Sequence, residues 1–297
     1  MRSFFIGQSY IDVTMITDVM PAGDDKDVAK DFAVSFGGNA VTAAFACAKI
    51  TAPHQAPDLL CSMADDWLGR MFRDMAARYR IPIHGRKVER SSLSFILPKD
   101  GKRAILRARD DAYLHPFPML NLGECKALHL DGHQPDAALF YAKLCREKGI
   151  LTSLDGGGLR PTTDELLDHI DVAIVAERLC EQMNFSDEEM LAYLKRKGCK
   201  IGGVTQGERG MLWYDEHGKV QRLPALSVPM EQVLDTSGAG DVFHGTYIAS
   251  YLERPESPWV AHFKWARAGS AFKVQHIGNE AGLPSRQDIE ETILTYA

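Results

Sequence analysis

Cysteine is scarce in this 297-residue sequence. None of the six forms a C-x-x-C pair or stands at zinc-ligand spacing from histidine. That argues against a zinc module and a dithiol redox centre. Cys47, Cys61, Cys125, Cys145, Cys180 and Cys199 are expected as buried, reduced thiols of a cytoplasmic protein. Long apolar runs are absent too: none approaches the ~20 residues of a membrane span. The opening MRSFFIGQSYID lacks the apolar core and small-residue cleavage site of a secretory leader and reads as a first buried strand. Positive charge is not in excess. With 34 Lys and Arg against 40 Asp and Glu, the net charge of −6 provides no global field for nucleic acid. The phosphate-loop pattern G-x-x-x-x-G-K-[ST] occurs nowhere, and Gly156-Gly157-Gly158 continues as LRPTT rather than completing a dinucleotide fingerprint before a helix. It reads as a strand-to-helix loop that leaves Asp155 as a cleft candidate. Repeats, low-complexity tracts and linkers rich in Gly, Ser or Pro are also missing, so one domain over 1–297 is expected.

What is present is alternation. Short apolar runs (Ser3 to Gly7, Ala127 to Leu130, Ile150 to Leu154, Val172 to Val175, Gly202 to Thr205) trade places with helical periodicity over Asn39 to Ile50, Asp65 to Tyr79, Asp136 to Lys148, Glu165 to His169 and Asp187 to Lys197. This predicts an α/β fold: a Rossmann-like, mostly parallel sheet with helices on both faces. Two stretches break the rhythm. Residues 92–110 hold two strand-like runs around Asp100-Gly101, a hairpin signal, and 12–36 alternate around Pro21 and Gly23. Together they predict a small β-sheet lid. The apolar Phe95, Ile96, Ile105 and Leu106 in the hairpin suggest that two lids pair in a homodimer, since a small sheet alone is marginal. The run Trp259, Phe263, Trp265, Phe272 reads as a core helix, as does His129 within its apolar strand.

The chemistry concentrates in Asp235-Thr236-Ser237-Gly238-Ala239-Gly240-Asp241, ahead of the apolar VFHGTYIASYLE. Here a loop becomes a helix N-terminus. Gly238 and Gly240 lack the Cβ that blocks close approach, and the first N–H groups of the helix are unsatisfied and aim outward, an anion site. A carboxylate beside such a site suits phosphoryl transfer: it takes the proton of an attacking hydroxyl while amides hold the transition-state charge. The positive helix end predicts that Asp241 stays ionised at neutral pH. His244, one turn on, reads as a helix-packed residue.

DTSGAGD resembles the D-T-x-G-A-G-D signature of the ribokinase-like (PfkB) carbohydrate kinases, and the resemblance runs through the chain. Gly37-Gly38-Asn39 before an Ala-rich helix is similar to that family's glycine-pair signature, and Asp12 to the acidic residue that holds sugar hydroxyls. Thr205-Gln206-Gly207-Glu208-Arg209-Gly210 resembles the T-x-G-x-x-G loop near the nucleotide, and GNEAGLP, from Gly278, the loop on the adenine side. The resemblance implies a kinase that uses ATP with Mg²⁺. Asp241 would be its base and the amides of Gly238, Ala239 and Gly240 its anion hole. Asp12, Gly38 and Asn39 would face the sugar; Thr205, Gly207, Gly210, Thr236 and Gly278 would face the nucleotide. Where the family often has N-x-x-E this chain reads Ala176-Glu177-Arg178-Leu179, so no metal ligand is carried over. Pro21, Lys26 and the Asp241-Val242-Phe243-His244-Gly245 run are similar to the sulfofructose-kinase branch. His133, following Leu130-Asp131-Gly132 at a strand end, is a candidate substrate contact.

The substrate class stays open between ketoses, sugar acids, sulfonated or phosphorylated sugars and nucleosides. Strand alternation puts Arg103, Arg107 and Arg109 on one face of the lid. Facing the cleft, they and Lys26 of the 12–36 stretch would bind an anionic substrate; facing out, they would only guard an edge. A nucleoside kinase, a non-catalytic sugar binder of the same fold and a nicotinamide-dependent oxidoreductase are the competing readings.

Overall fold

The computed structural model describes residues 2–19, 23–99 and 102–297. Its larger sheet follows from the buried apolar runs. Strands β1 (Arg2–Gly7), β4 (Asp58–Met63), β5 (Ile83–Lys87), β8 (Cys125–Leu130), β9 (Leu151–Gly156), β10 (Val172–Ala176) and β11 (Ile201–Thr205) lie parallel, and β12 (Met211–Tyr214) and β13 (Val220–Leu223) extend one edge antiparallel. The order is β13-β12-β11-β10-β9-β8-β1-β4-β5. Helices cover both faces. Helices α1 (Asn39–Ile50), α2 (Trp67–Arg78), α7 (Ala239–Glu253), α8 (Trp259–Lys273) and α9 (Arg286–Tyr296) share one apolar cluster, which includes Phe45, Phe72, Tyr247, Phe263 and Ile289. Helices α3 (Pro135–Glu147), α4 (Thr163–Leu167), α5 (Glu177–Met183) and α6 (Asp187–Arg196) pack through Tyr141, Leu167, Leu179 and Leu191 on the other. The helix over 39–50 has the bounds its periodicity predicts, because nearly every side chain in it is small and buried. The helix expected from Asp65 starts at Trp67 instead: Asp66 stays outside as N-cap, accepting from the Gly69 amide at 2.8 Å.

A second sheet, in the order β3-β2-β6-β7, stands apart from the first. It is built from β2 (Tyr10–Ile16), β3 (Asp31–Gly37), β6 (Leu93–Lys99) and β7 (Lys102–Ala108). Strands β6 and β7 pair antiparallel up to Lys99 and Lys102, as the hairpin signal predicts. The Asp100-Gly101 dipeptide itself and Pro21 lie outside the described residues. Opposite neighbours share a face, and Val34, Val13, Phe95 and Leu106 are opposite one another across the four strands. They make the outer face apolar. Ile96 and Ile105 point the other way, into the cleft, so the four apolar residues read as one surface in the sequence divide between two faces.

All six cysteines are buried and unpaired, as expected. No helix among the described residues is long and apolar enough to cross a membrane. His129 is fully buried with its ring centre 5.3 Å from that of Phe5, the planes tilted by 55°, and Phe263 is fully buried, so both belong to the core.

Candidate active site

The carboxyl ends of β8, β9, β10 and β11 open into a cleft of about 870 Å³, roofed by the inner face of the small sheet and bordered by the start of α7. Ligands of open α/β sheets bind at this end of the strands. Of the residues singled out in the sequence, Asp12, Gly38, Asn39, Arg107, His133, Thr205, Thr236, Gly238, Gly240 and Asp241 line it. Ala239, Lys26, Gly207, Gly210 and Gly278 do not. Lys26 is exposed on the connection between β2 and β3. Gly207 and Gly210 frame the tight turn into β12, where the Gln206 amide bonds the Gly210 carbonyl at 2.8 Å. Gly278 acts through its amide, which donates to Asp235 Oδ2 at 3.1 Å.

The 235–241 segment folds as its glycines allow. Gly238 is the N-cap of α7 with φ 76°, a conformation that costs glycine little, and an added Cβ would lie 2.4 Å from Asn279 Oδ1. Ser237 N donates to Asp235 Oδ1 at 2.8 Å, and Ala239 N makes a long 3.4 Å bond to Thr236 O. The amides of Gly238 and Gly240 find no acceptor among the described residues, and above the Cα of Gly240 no atom lies within 4 Å. An anion therefore meets free amides and open space. The Ala239 amide, expected in the same group, is partly engaged.

Asp241 stands in the first turn of α7, half-buried. Desolvation pushes its carboxyl well above the usual aspartate range, the Asp155 carboxylate adds to this, and Arg103 and Arg107 pull against it. This departs from the expectation from the helix end alone: burial raises the carboxyl, and three acidic groups, Asp12, Asp155 and Asp241, share one cleft, so their repulsion adds to it. A carboxyl that holds its proton to higher pH is a better proton acceptor once ionised.

The other groups are fixed by neighbours that the motifs do not announce. Asn279 Nδ2 donates to Asp12 Oδ2 at 3.1 Å and to the Phe36 carbonyl at 2.8 Å, tying the loop after α8 to the small sheet. Burial raises the Asp12 carboxyl, opposed by Ser94 and Arg107. Asn39 Nδ2 donates to Asp155 Oδ2 at 3.0 Å, and His244 Nε2 lies 3.7 Å from Asp155 Oδ1. Burial opposes ionisation of Asp131, but His133, at 3.1 Å, and Arg160 outweigh it and hold the carboxyl down to about 2. Arg103 Nη1 donates to Thr236 O at 3.0 Å, and the Arg107 guanidinium lies 5.2 Å from the centre of the Tyr10 ring. Arg103, Arg107 and Arg109 thus face the cleft, where Arg160 and Arg178 join them. Glu177, where the family pattern is broken, is ion-paired with Arg209. No three His, Cys, Asp or Glu side chains among the described residues converge to hold a metal ion.

The sequence pattern of the pfkB family of carbohydrate kinases matches residues 2–286. The chain belongs to that family. Family resemblance extends to a ribokinase of Lactococcus lactis subsp. lactis, 24% identical over 297 aligned residues that cover 96% of this chain and 94% of the other. Among solved structures, a protein from Agrobacterium tumefaciens assigned as a ribokinase superposes with a TM-score of 0.88 at 22% identity, covering 99% of this chain and 97% of that one. A ribokinase of Arabidopsis thaliana solved with ribose and ATP gives 0.80 at 20% identity over 98% of each chain. These likenesses bear out the expected fold, a mostly parallel sheet with a smaller separate one.

Proposed function

We propose that this pfkB-family chain moves the γ-phosphoryl group of ATP onto a hydroxyl of a small sugar that also carries a fixed negative charge. The observation that carries the reading is the meeting, in one cleft, of Asp241, the free amides of Gly238 and Gly240, and Asp12 on the roof. In this reading Asp12, with Asn39 and Asp155, takes hydrogen bonds from sugar hydroxyls. Asp241 accepts the proton of the attacking hydroxyl as its oxygen bonds to the γ-phosphorus and the bond to the ADP oxygen breaks. The α7 amides meet the charge on the moving group. Arg103, hydrogen-bonded to the same turn, stands on the phosphoryl side. Thr205 and Thr236 border the nucleotide. Mg²⁺ accompanies ATP, with phosphate and water as most of its ligands; no side chain here is assigned to it.

Three further features belong to the proposal. The negative substituent is inferred from Arg107, Arg109 and Arg160, which gather around Tyr10, with His133 lining the same cleft; a neutral sugar needs no such guanidinium cluster. Residues 1–297 work as one kinase unit with 12–36 and 92–110 as its lid, in a reducing cytoplasm that suits six unpaired cysteines. Two copies pair through the lids. The test of the activity is ADP release against neutral ketoses and ribose, sugar acids, sugar phosphates, sulfo-sugars and nucleosides. Substrate-dependent ADP release with higher kcat/KM for an anionic sugar than for its neutral analogue is expected. A preference for the neutral sugar or for a nucleoside would sink the charge assignment, and no turnover with any of them would sink the kinase reading.

A further inference from the structure

Behind the cleft lies a cation that the proposed reaction does not use. Lys273, in the last turn of α8, is completely buried, and its ammonium donates to Asp235 O at 3.0 Å, Asp235 Oδ2 at 3.0 Å and His276 O at 3.1 Å. An ammonium has three hydrogens, and here each has an oxygen. Asp235 is the first residue of the turn that presents the free amides. Its two carboxylate oxygens also receive the amides of Ser237, at 2.8 Å, and Gly278, at 3.1 Å. Gly278 in turn precedes Asn279, which holds Asp12. One charge therefore joins the two loops that border the cleft, the 235–241 turn and the 276–284 loop. The lysine stem lies against Gly282, where an added Cβ would come within 2.9 Å of Lys273 Cγ and 3.1 Å of Cε.

A buried charge is costly unless it is fully partnered, and an apolar side chain would fill the same space without it. Removing the ammonium would leave a buried carboxylate and two carbonyls short of a donor, and the turn free to move. We infer that Lys273 is a positioning residue for phosphoryl transfer: a built-in monovalent cation that fixes, through Asp235, where the amides of the α7 N-terminus point. The inference rests on the kinase reading above.

The test is Lys273→Ala, with folding checked by circular dichroism. Displacing a reacting centre by an ångström typically costs about 10²-fold in rate, so kcat is expected to fall by that order while KM for the sugar stays within about twofold. Ammonium or methylammonium ions, small enough for the vacated place, should restore much of kcat, and tetramethylammonium should not. A folded variant with unchanged kcat overturns the inference, as does a loss that small ammonium ions restore no better than tetramethylammonium. Should Lys273→Ala fail to fold, Gly282→Ala carries the test, since its methyl displaces the stem without removing the charge. It is expected to lower kcat at near-constant sugar KM, and a folded Gly282→Ala enzyme with wild-type kcat overturns the inference. Absence of turnover in the unmodified enzyme refutes the kinase reading; turnover with unaffected variants refutes only the role of Lys273.

Discussion

Single residues in this cleft answer to charge and space. Asp241→Asn keeps the shape and removes the proposed base, so kcat is expected to fall by about 10²–10⁴-fold with ATP binding retained, as steady-state kinetics and equilibrium binding will read. The carboxyl must be ionised to act and its pKa is raised, so the acidic limb of kcat/KM should lie above the usual aspartate range. Asp155 is one of the causes that raise it; in Asp155→Asn whatever activity remains should show its limb at lower pH. The stability consequence has the opposite sense. A carboxyl whose folded pKa is raised contributes stability below its unfolded pKa and loses it as pH rises through the folded value. Asp241→Asn should therefore raise the Tm of the unliganded protein at pH 8 more than at pH 4. Gly240→Ala separates space from fold: the protein leaves the added methyl room, so the variant should melt normally and yet lose turnover, because the methyl stands where the proposed reading puts the phosphate. An active Gly240→Ala enzyme would place the phosphate elsewhere. DTSGAGD was legible because its glycines and acids are local in sequence. The raised pKa of Asp241 was not, since Asp12 and Asp155 come from distant strands. Neither was Asn279, which sits inside the recognised GNEAGLP stretch but acts through a side chain that the glycines beside it do not reveal.

Among the elements, β7 is the one to which the proposed reading gives the choice of substrate. Its alternation, read from the sequence, puts Arg103, Arg107 and Arg109 on one side, but period alone says nothing about which side is the cleft. That is decided by pairing: β7 lies opposite β6, and β6 beside β2, whose Asp12 faces inward. Arg107 makes no ion pair among the described residues and lies against Tyr10, whereas Arg109 is paired with Asp111 at 2.9 Å. The free guanidinium is the one to test. Loss of a charge-assisted contact of about 1.5–3 kcal/mol should raise the sugar KM of Arg107→Ala roughly 10- to 150-fold, with ATP affinity barely changed. Unaltered sugar kinetics would return Arg107 to the role of edge guard. Elsewhere the elements show the limits of pattern. The long parallel strands were legible from their buried apolar runs, but β13 (VQRL) is mostly exposed, and β5 (IHGRK), partly exposed, carries three polar residues in five, so neither shows such a run. The T-x-G-x-x-G resemblance located a real turn, yet only Thr205 of its Thr and Gly positions reaches the cleft, because Gly207 and Gly210 serve the backbone reversal into β12.

For the whole molecule the outer face of the lid sets the last question. Phe32 and Leu106 are 65% and 75% exposed there, with Val34 and Phe95 between them. An apolar sheet face left in water favours self-association or aggregation, and a four-stranded sheet of this size gains from cover. The net charge of −6 gives general solubility but cannot cover a local patch. The inner face is spoken for by the cleft, and in the proposed pairing a second copy covers the outer one, offering the same apolar surface about a twofold axis. The small sheet brings Asp12 and Arg107 to the cleft, so in the proposed reading a dimer that stiffens this sheet also fixes half of the sugar site. A charge introduced at Leu106 would appear twice at such an interface. Burying a leucine is worth about 1.5–3 kcal/mol, so Leu106→Asp should weaken pairing by roughly 3–6 kcal/mol per dimer, enough to give monomer at micromolar concentration in light scattering. Its ATP affinity, which the proposed reading assigns to α7 and the larger sheet, should be kept, and its sugar KM should rise. A wild-type protein that is monomeric at micromolar concentration would exclude the pairing. A dimer that persists in Leu106→Asp would move it to another surface and leave the apolar lid face without an occupant.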